Sequence, residues 1–572
     1  MLQLSSFLSV FASKCHLAPV SRVGAAAGSL PVQRAGSIHT GAHNRILTAL
    51  IFGDIAIRPF FYLLVFPLLL AGCALPSLPD RPASQALGAA QTASTRLGQA
   101  IAPQVLQHPG HSGIHPLQDP LEAFAARMLL AHAAERSLDV QYYIWRGDQT
   151  GTLLLQALVA AADRGVRVRL LLDDGGTAGL DAELAALALH PRIEVRLFNP
   201  FALRWPKPLG YLTDFSRTNR RMHNKSFTAD NQATIVGGRN VGDEYFGATD
   251  GVLFSDLDVL AIGPIVPEVS TDFDRYWASP SAWPVQAILP AVGSAEPARL
   301  QARAVRIQDS EAARAYTQAV RQTPFITALL AQQLALEWSP VQMVSDDPAK
   351  GLGQAPRSGL LVDQLYRVLG TPQRSVALVS PYFVPTAAGT QALARLREQG
   401  VSVRVMTNAY EATDVPLVHA GYAQYRKALL QSGVALFEMQ RMAPPKQDPP
   451  MRLNPLGSSG SSLHAKTFAI DGERAFVGSF NFDPRSALLN TELGFVIDSP
   501  VLARQIEEAF DTQVPQSSYA LQLSPDGEIE WHSRGGAQDA QAPMVARIEP
   551  GSTWLSRWGL TLLSWLPIEW LL

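Results

Sequence analysis

Two short segments of this chain carry the same chemically active side chains at the same spacing. The first contains His223, Lys225, Asp230, Gly237 and Asn240, and the second contains His464, Lys466, Asp471, Gly478 and Asn481. In both, the aspartate lies seven residues after the histidine, the glycine fourteen and the asparagine seventeen. One His-x-Lys triplet means little, but two copies with matched spacing are hard to obtain by chance. This repeat is the strongest functional signal in the sequence.

The residue types of the repeat fit phosphodiester exchange. Histidine can act as nucleophile or general acid near neutral pH, and lysine and asparagine can donate to charge that develops on phosphoryl oxygens. His223 and Lys225 are two residues apart, so on a strand both side chains project from one face. We therefore expect the two copies to surround one phosphorus atom. The lysine–asparagine sets would replace a metal, and no other cofactor is predicted.

The two aspartates belong to the candidate catalytic motif but are predicted to lie on the opposite face. Asp230 and Asp471 each come five residues after their lysine, an odd spacing that turns them away from the His–Lys face. We interpret them as structural members of the motif that pair with backbone or basic groups. A single strand histidine is more often a packing residue, so the catalytic interpretation depends on the duplication.

The elements that must position these motifs form a duplicated α/β unit. The first half is predicted to contain strands at 138–144, 166–172 and 193–198, with a helix at 153–164. The second half repeats this order, with elements predicted at 376–380, 387–398, 401–407, 421–431 and 434–438. Gly165 and Gly400 end corresponding helices at an offset of 235 residues. Alternating strands and helices predict mixed, largely parallel sheets with flanking helices.

The paired motifs resemble the signature of the phospholipase D superfamily, and the resemblance covers nearly everything from about residue 116 to 515. It implies two α/β sandwich domains in a pseudo-twofold core, and a phosphohistidine intermediate without a cofactor. By this resemblance His223 is the nucleophile and His464 the general acid, an order that could be reversed. The residues expected to bind the phosphate are Asn240, Asn481 and Ser479.

The resemblance also implies an acidic residue after each motif that orients the histidine of the other copy through its second ring nitrogen. The matching positions are Asp256 and Glu492, with Asp258 as a competing choice. The family pattern Gly-Ser-x-Asn is intact in the second copy, but Gly238 stands in the first copy where Ser479 stands in the second. The missing hydroxyl predicts unequal roles for the two half-sites.

Composition and the N-terminus indicate the cellular context. The 572 residues carry a net charge of −2, which gives no general attraction to nucleic acid. Cys15 and Cys73 both precede the predicted core, which excludes a disulfide framework and a cysteine zinc site there. Arg58, the apolar run 59–70 and Cys73 resemble a signal peptide with a lipobox, in which the cysteine is acylated. The alternative is a signal anchor or a short buried apolar segment.

We divide the chain into five predicted parts. They are a signal and lipobox region, a Pro/Ala-rich tether, a first domain, a second domain and a C-terminal tail, at residues 1–73, 74–115, 116–300, 301–515 and 516–572. The roughly fifty residues before Arg58 favour a natural start downstream of Met1. The tail ends in a tryptophan-rich segment that is predicted to lie in a membrane interface, with a core-docking helix as the alternative. The predicted location is the bacterial cell envelope, anchored to a membrane and facing the periplasm.

Further segments resemble the third class of bacterial cardiolipin synthases, namely 138–145, 198–200, 239–246, 481–485 and 567–572. This resemblance implies a phosphatidyl donor, either phosphatidylglycerol or phosphatidylethanolamine, and phosphatidylglycerol as acceptor. The nearest alternative is a phospholipase D-type hydrolase, because water can also accept the phosphatidyl group. A periplasmic nuclease would need a basic groove with exposed aromatic residues, and a scaffold with a dead site conflicts with the intact motifs. The sequence predicts no nucleic-acid partner and identifies no protein partner.

Four other features have competing interpretations. Asp173 and Asp174 follow a strand and fit a turn and helix cap better than a metal site. The basic run 217–221 either recognises lipid phosphates or forms a solvated loop. The stretch 346–351 is similar to one in some cardiolipin synthases, although no chemistry follows from its residues. His419 either lines an acceptor pocket or lies on an ordinary helix surface.

Overall fold

The computed structural model describes residues 75–76, 84–249, 253–331, 333–441, 461–534, 544–564 and 569–571. The predicted signal region with Arg58, the apolar run and Cys73 lies outside the described residues. Within them, each half of the chain builds one large mixed sheet covered by helices. The predicted α/β class and the duplication of the core are confirmed.

The first half contributes ten strands. In chain order they are β1 Ser112–Leu117, β2 Ser137–Tyr142, β3 Arg167–Asp173, β4 Ile193–Phe198, β5 Ser226–Ala229, β6 Ala233–Gly237, β7 Leu253–Ser255, β8 Asp258–Ile262, β9 Ala282–Pro284 and β10 Glu337–Ser339. Nine of them form one sheet in the order β10-β1-β8-β6-β5-β2-β3-β4-β9. The remaining strand, β7, pairs with the other half of the chain.

The helices of the first half cover this sheet. They are α1 Ala89–Thr92, α2 Arg96–Gln107, α3 Pro120–Ala133, α4 Gln149–Asp163, α5 Asp181–Leu187, α6 Gly210–Thr213, α7 Phe215–Thr218, α8 Asp243–Phe246, α9 Ile265–Ala278, α10 Val285–Ile288, α11 Glu296–Gln308, α12 Glu311–Arg321 and α13 Pro324–Leu330. Their ends are encoded locally. Asp119 caps the start of α3 by accepting from two backbone N–H groups, and Gly165 follows the end of α4 at a φ of 96°.

The second half contributes eleven strands. They are β11 Val341–Ser345, β12 Ser375–Val379, β13 Ser402–Asn408, β14 Ala435–Met439, β15 Ser461–Leu463, β16 Thr467–Ile470, β17 Arg474–Gly478, β18 Leu493–Ile497, β19 Ser518–Leu523, β20 Ile529–Ser533 and β21 Met544–Ala546. The second large sheet has the order β11-β18-β17-β16-β12-β13-β14-β19-β20-β21. Its helices are α14 Leu361–Leu369, α15 Thr386–Glu398, α16 Pro416–Ala423, α17 Arg426–Gln431, α18 Pro484–Leu488, α19 Pro500–Thr512, α20 Val514–Ser517 and α21 Trp554–Ser564.

The sheets are mixed as predicted, but parallel pairs are the minority. Parallel pairing is confined to β2–β3–β4 in the first sheet and β12–β13–β14 in the second. These are the strands whose alternation with helices was visible in the sequence. The expected predominance of parallel pairs is wrong, because each motif folds as an antiparallel hairpin and further antiparallel strands extend both sheets.

The described part of the predicted tether is folded. From residue 84 onward, the backbone N–H of Ala86 donates to Asp274, and α2 buries Ile101 in the first core. Strand β1 lies inside the first sheet between β10 and β8. The Ala- and Pro-rich composition concealed a helix whose apolar residues lie on one face. The tether prediction is therefore wrong for residues 84–115.

Two predicted domain boundaries also differ from those seen in the structure. Residues 301–330 pack on the first half, where Tyr316 and Phe325 join the first core, so the first unit does not end at residue 300. The sheets change over at Pro340, between β10 of the first sheet and β11 of the second. After residue 515, β19 and β20 extend the second sheet, and Trp531 is buried in its core. The predicted tail thus begins with sheet structure.

The two sheets meet through a shared apolar layer. Its members come from both halves and are fully or nearly fully buried, among them Ile114, Val236, Val259, Ala475, Val477 and Phe495. The short strands β7 and β15 also pair across the halves, in parallel. This contact fixes one half against the other and brings the two histidine motifs to the same place.

Candidate active site

Each histidine motif is a β-hairpin with its reactive groups at the open end. His223 and Lys225 lie just before β5, and Asn240 follows β6, the antiparallel partner of β5. In the second copy, β16 and β17 form the same hairpin. Because the second strand returns beside the first, an asparagine seventeen residues away comes back towards its histidine. The motif spacing is therefore the length of one hairpin.

The motif aspartates lie at the closed ends of these hairpins, away from the reactive groups. Asp230 and Asp471 have positive φ angles of 52° and 59°, as tight turns require. The Asp230 carboxylate accepts from the backbone N–H groups at 135–137, which lead into β2. Asp471 does the same for the N–H groups at 373–375 before β12. Their place in the candidate catalytic set is therefore corrected to a structural role, since they anchor the strands.

Each histidine is held by the backbone of the other half. The N–H of His223 donates to the carbonyl of Thr491 at 2.8 Å, and the N–H of Thr491 donates back to the carbonyl of Arg221 at 2.9 Å. The N–H of His464 donates to the carbonyl of Ser255 at 2.8 Å. These short ladders place the segment after each asparagine beside the histidine of the opposite copy.

The two acidic residues implied by the resemblance lie against the opposite histidines. Glu492 Oε2 is 2.8 Å from His223 Nδ1, and Asp256 Oδ2 is 2.6 Å from His464 Nδ1. All four side chains are buried. With Nδ1 bonded to a carboxylate, each imidazole is fixed in orientation and has its Nε2 left for chemistry. The competing choice, Asp258, instead pairs with Arg127 at 2.7 Å.

The serine-to-glycine difference is explained by the two acids. Ser479 Oγ lies 2.5 Å from Glu492 Oε2 and accepts from the N–H of Leu493, so this hydroxyl supports the carboxylate. In the first copy a Cβ at Gly238 would lie 2.1 Å from Asp256 Oδ1. The shorter Asp256 occupies that space and accepts from the N–H of Leu257 instead. The phosphate-binding prediction for Ser479 is therefore corrected.

The motif lysines and asparagines are also buried, but the two copies differ in detail. Lys225 and Lys466 each fold back and donate to the carbonyl of their own histidine. Asn240 is fixed, since its Oδ1 accepts from the N–H of Ile144 and its Nδ2 donates to the Tyr245 hydroxyl. Asn481 Oδ1 is buried and has no hydrogen-bond partner among the residues that the structure describes. The two motif copies therefore also differ in the hydrogen bonds of their asparagine side chains.

Burial and neighbouring cations keep both imidazoles neutral. Burial, followed by the charges of Lys225 and Lys466, lowers the pKa of His223 well below its usual value. The pKa of His464 is lowered well below its usual value by burial and then by the same two lysines, with His223 contributing as well. Burial also lowers the pKa of Lys466 to about 8 and raises that of Glu492 to about 7. A neutral imidazole is the nucleophilic form.

Two tyrosines that the motif analysis missed form part of the wall. The Tyr143 ring meets His223 edge-on at a centroid distance of 5.0 Å, and the Tyr245 ring meets His464 edge-on at 5.2 Å. Lys225 Nζ lies 5.7 Å from the centre of the Tyr143 ring. Both tyrosines fall in segments whose resemblance to cardiolipin synthases was noted, but no spacing rule marks them. They narrow the site around the imidazoles.

The structure also shows where the other residues singled out in the sequence lie. Asp173 accepts from the N–H of Met222, next to His223, and Asp174 pairs with Arg204, so both are structural. Arg221 is buried and approaches Asp173 at 3.4 Å, so the basic run is not a simply solvated loop. His419 is buried in contact with Glu549 at 2.7 Å, not on a helix surface. Across the described ranges no three His, Cys, Asp or Glu side chains are grouped to hold a metal ion.

The chain was compared with protein families, with curated proteins and with solved structures. The family model described as "Cardiolipin synthase, PLD-like domain" matches residues 128–277 and 365–514. Cardiolipin synthase C of Escherichia coli (strain K12) is 49% identical over 480 residues, which span 83% of this chain and 100% of that protein. A cardiolipin synthase of Oceanobacillus iheyensis is 25% identical over 71% of this chain and 70% of its own length. The crystal structure of a phosphatidylserine synthase from Haemophilus influenzae Rd KW20 aligns with a TM-score of 0.49 and 14% identity, over 74% of this chain and 91% of that one.

Proposed function

The chain belongs to the cardiolipin synthase family with PLD-like domains, and on this premise we propose that it transfers a phosphatidyl group between phospholipids to form cardiolipin. The acceptor is the hydroxyl of phosphatidylglycerol, and the donor is phosphatidylglycerol or phosphatidylethanolamine. One observation carries the proposal, namely the two histidine–carboxylate pairs that cross between the halves, His223–Glu492 and His464–Asp256. Such a pair of oriented imidazoles supplies both a nucleophile and a proton donor.

The proposed first step forms a phosphohistidine. His223 Nε2 attacks phosphorus, a P–N bond forms and the P–O bond to the leaving alcohol breaks. His464 gives its proton to the leaving oxygen, and Glu492 compensates the positive charge on the His223 ring. An anionic phosphodiester raises the pKa of His464 when it binds, which supplies that proton. Lys225, Lys466 and the motif asparagines, Asn240 and Asn481, donate to the phosphoryl oxygens.

The second step reverses the roles around the same phosphorus. His464, now neutral, takes the proton of the phosphatidylglycerol hydroxyl, a new P–O bond forms and the P–N bond breaks. If His464 attacked and His223 donated the proton, the products would be the same, so the identity of the products does not show which histidine attacks. Water would give phosphatidic acid instead. Burial of the histidines with Tyr143 and Tyr245 at their edges favours the bulky lipid hydroxyl over bulk water.

Membrane attachment is part of the proposal. Acylation of Cys73 would tether the chain to an envelope membrane on its periplasmic side, and α21 would lie in the interface of the bilayer. On α21, the exposed fractions are 63% for Trp554, 64% for Leu555 and 65% for Trp558. None of the helices in the described ranges has the length and apolarity needed to cross a membrane.

Lipid mass spectrometry tests the proposed reaction. The full chain is incubated with vesicles that contain labelled phosphatidylglycerol, with and without phosphatidylethanolamine. We expect labelled cardiolipin, accompanied by glycerol or ethanolamine, which identifies the donor. Phosphatidic acid alone would assign the chain as a hydrolase. The absence of any lipid product, together with cleavage of single-stranded DNA, would replace the proposal with a nuclease.

A further inference from the structure

The stretch 346–351, for which the sequence offered no chemistry, lies directly behind Glu492. Strand β11 pairs with β18, and Asp346 continues that ladder past the end of both strands. Its N–H donates to the carbonyl of Glu492 at 2.9 Å, and its Oδ2 accepts from the N–H of Glu492 at 2.9 Å. Its other oxygen, Oδ1, accepts from the N–H of Leu361 at 2.8 Å. The Asp346 carboxylate therefore fixes the backbone of the acid that contacts His223.

Lys350 completes this arrangement. It lies in a short 3₁₀ helix, Pro348–Leu352, whose start is capped by the Asp347 side chain. Lys350 Nζ donates to Asp346 Oδ2 at 2.8 Å and to the carbonyl of Ser486 at 2.9 Å. The side-chain exposure is 2% for Lys350 and 0% for Asp346, so this is a fully buried ion pair. A buried pair of this kind is costly to break, although it contributes little net stability compared with apolar residues of similar volume.

We propose that Asp346 and Lys350 are a positioning pair that fixes the Glu492 carboxylate against His223 Nδ1. The inference rests on the proposed function for its catalytic meaning. Asp346 acts on the backbone of Glu492 through two hydrogen bonds, and Lys350 acts through its charge. In the first half, a different residue holds the backbone of the corresponding acid, since Arg239 donates to the carbonyl of Asp256 at 2.7 Å. Neither member of the pair touches the substrate.

The charges around Glu492 determine the direction in which its pKa should change when Lys350 is replaced. The charged or titratable groups that face its carboxylate from both halves are His223, Lys225, Asp346, Lys350, Lys466 and Asp483. Lys350 is among the groups that oppose the effect of burial on the Glu492 pKa. Removing its charge therefore raises that pKa further and moves the acidic limb of the pH–rate profile to higher pH.

The test compares Lys350→Met with Lys350→Arg and with the exposed control Lys427→Met. For Lys350→Met we expect kcat to fall about 10- to 100-fold, KM to stay within about threefold, and the acidic limb to move upward in pH. Lys350→Arg should recover part of kcat and return the acidic limb of the pH–rate profile to its original position. If Lys350→Met does not fold, Asp346→Asn is measured in the same way. An unchanged kcat and pH profile per folded molecule, in whichever variant folds, would overturn the proposal.

A readout that does not depend on turnover separates this inference from the proposed function. Diethylpyrocarbonate modifies neutral imidazoles, and peptide mass spectrometry follows His223 and His464 separately in the same sample. In Lys350→Met we expect the rate at His223 to change several-fold while the rate at His464 stays within about twofold. Equal changes at both histidines would indicate a general structural effect and overturn the positioning role. This result holds whatever lipid the enzyme uses.

A second inference comes from the loop that precedes His223. Trp205 is 85% exposed and Leu212 is 82% exposed, and Leu209, Tyr211 and Phe215 are also exposed. The charged side chains of residues 201–218 are all paired, since Arg204 and Lys207 contact Asp174, and Arg217 contacts Asp214. The loop thus presents apolar side chains to solvent while its charges are neutralised.

This apolar loop and the C-terminal segment meet at one point beside the site. Arg485 donates to the carbonyl of Asn219, the C-cap residue of α7, and to the carbonyl of Leu571. Asn219 is four residues before His223, and Leu571 is seven residues after the end of α21. The loop therefore ends at the rim of the active site, and the C-terminal segment reaches the same arginine there through Leu571.

The geometry points to the surface of a phospholipid bilayer as the partner of this loop. Neutralised charge beneath exposed Trp, Tyr and Leu side chains suits the boundary between headgroups and hydrocarbon. The position of the loop at the rim would present His223 to lipids in the membrane. The inference rests on the proposed function for the choice of partner, and it assigns to residues 201–218 a docking role that α21 alone would not fulfil.

Vesicle flotation tests this surface in the full chain carrying Cys73→Ser, which removes the predicted acylation site. The probe is vesicles of phosphatidylethanolamine and phosphatidylglycerol. The double variant Trp205→Ser, Leu212→Ser should lower the bound fraction several-fold, while Leu106→Ser, an equally exposed apolar residue on α2, should not. Unchanged binding would overturn the inference. So would a loss of self-association by the double variant without a loss of vesicle binding, because the surface would then join copies of the chain.

Discussion

The candidate catalytic residues are buried groups whose charge states depend on one another. Two neutral imidazoles lie among two buried lysines and two buried carboxylates, and each imidazole is oriented by an acid from the opposite motif. The identities of these six residues were predictable from spacing and resemblance. Their burial and mutual contacts were not predictable, because residue types and spacing do not show how far a side chain lies from solvent.

Removal of either histidine should abolish transfer. We expect His223→Ala and His464→Ala each to lower cardiolipin formation by at least about 10³-fold, because one loses the nucleophile and the other the proton donor. The thermal unfolding midpoint should stay close to that of the unaltered chain. His111→Ala, at an exposed position, serves as the control. Wild-type turnover in either active-site variant would refute the assignment of both histidines.

The Glu492 carboxyl should make stability depend on pH in a definite direction. Its unfolded form releases a proton near pH 4.5, whereas burial raises the folded pKa to about 7. Between these values the folded chain binds more protons, so stability falls as pH rises, by roughly 1 kcal/mol per pH unit. Glu492→Gln lacks this titration. Thermal midpoints of the two proteins should therefore diverge from pH 4.5 to 7 and run parallel above it, with exposed Glu528→Gln as the control.

Chelation should have little effect on the reaction. Lys225 and Lys466 supply the positive charge that a divalent cation would supply in a metal-dependent phosphodiesterase. We expect activity after dialysis against EDTA to stay within about twofold of the untreated enzyme. Complete loss of activity, restored by one added divalent cation, would contradict the lysine-based mechanism.

At the scale of elements, the site is built from two hairpins and two short cross-half ladders. The spacing of histidine, aspartate and asparagine is the length of a hairpin with the aspartate at its turn. Asp256 follows β7, and Glu492 follows Thr491; backbone hydrogen bonds hold both segments beside the opposite histidine. The sequence showed the hairpin spacing but not the ladders, since those join residues more than 200 positions apart.

The space beneath Asp256 provides a prediction for the first hairpin. Gly238→Ser should lower activity about tenfold or more, because its Cβ would lie 2.1 Å from Asp256 Oδ1 and displace the carboxylate from His464. Adding Asp256→Glu to this variant reproduces the Ser479–Glu492 arrangement of the second copy and should restore part of the activity. Turnover by Gly238→Ser equal to that of the unaltered enzyme would contradict the steric explanation.

At the scale of the whole molecule, neither half contains a complete site. Glu492 contacts His223 and Asp256 contacts His464 across the two halves, and the apolar layer between the sheets holds these pairs together. The change from one sheet to the other at Pro340 marks where the chain divides. We therefore expect the proposed reaction to require the association of the two halves.

Splitting the chain tests this dependence. Residues 1–340 alone and 341–572 alone should form no cardiolipin, because each lacks one histidine and the acid that orients the other. Coexpression of the two fragments should restore measurable product, which lipid mass spectrometry would detect. Coexpression with one fragment carrying His464→Ala is the control. Activity from a single fragment would show that one motif is sufficient.

Residue spacing and periodicity were enough to identify the repeated motifs and the alternating core strands and helices, because both are local properties. The acids that follow each motif were identified only through the resemblance to a known family. The predictions were wrong for residues 84–115, the boundaries near 300 and 515 and the proportion of parallel pairs, because these depend on which distant strand completes a sheet edge. Three contacts became visible only in the folded chain: Ser479 supports Glu492, Gly238 makes room for Asp256, and Asp346 holds Glu492 in place. Such contacts join residues far apart in the chain, and they exist only once the two sheets have packed together.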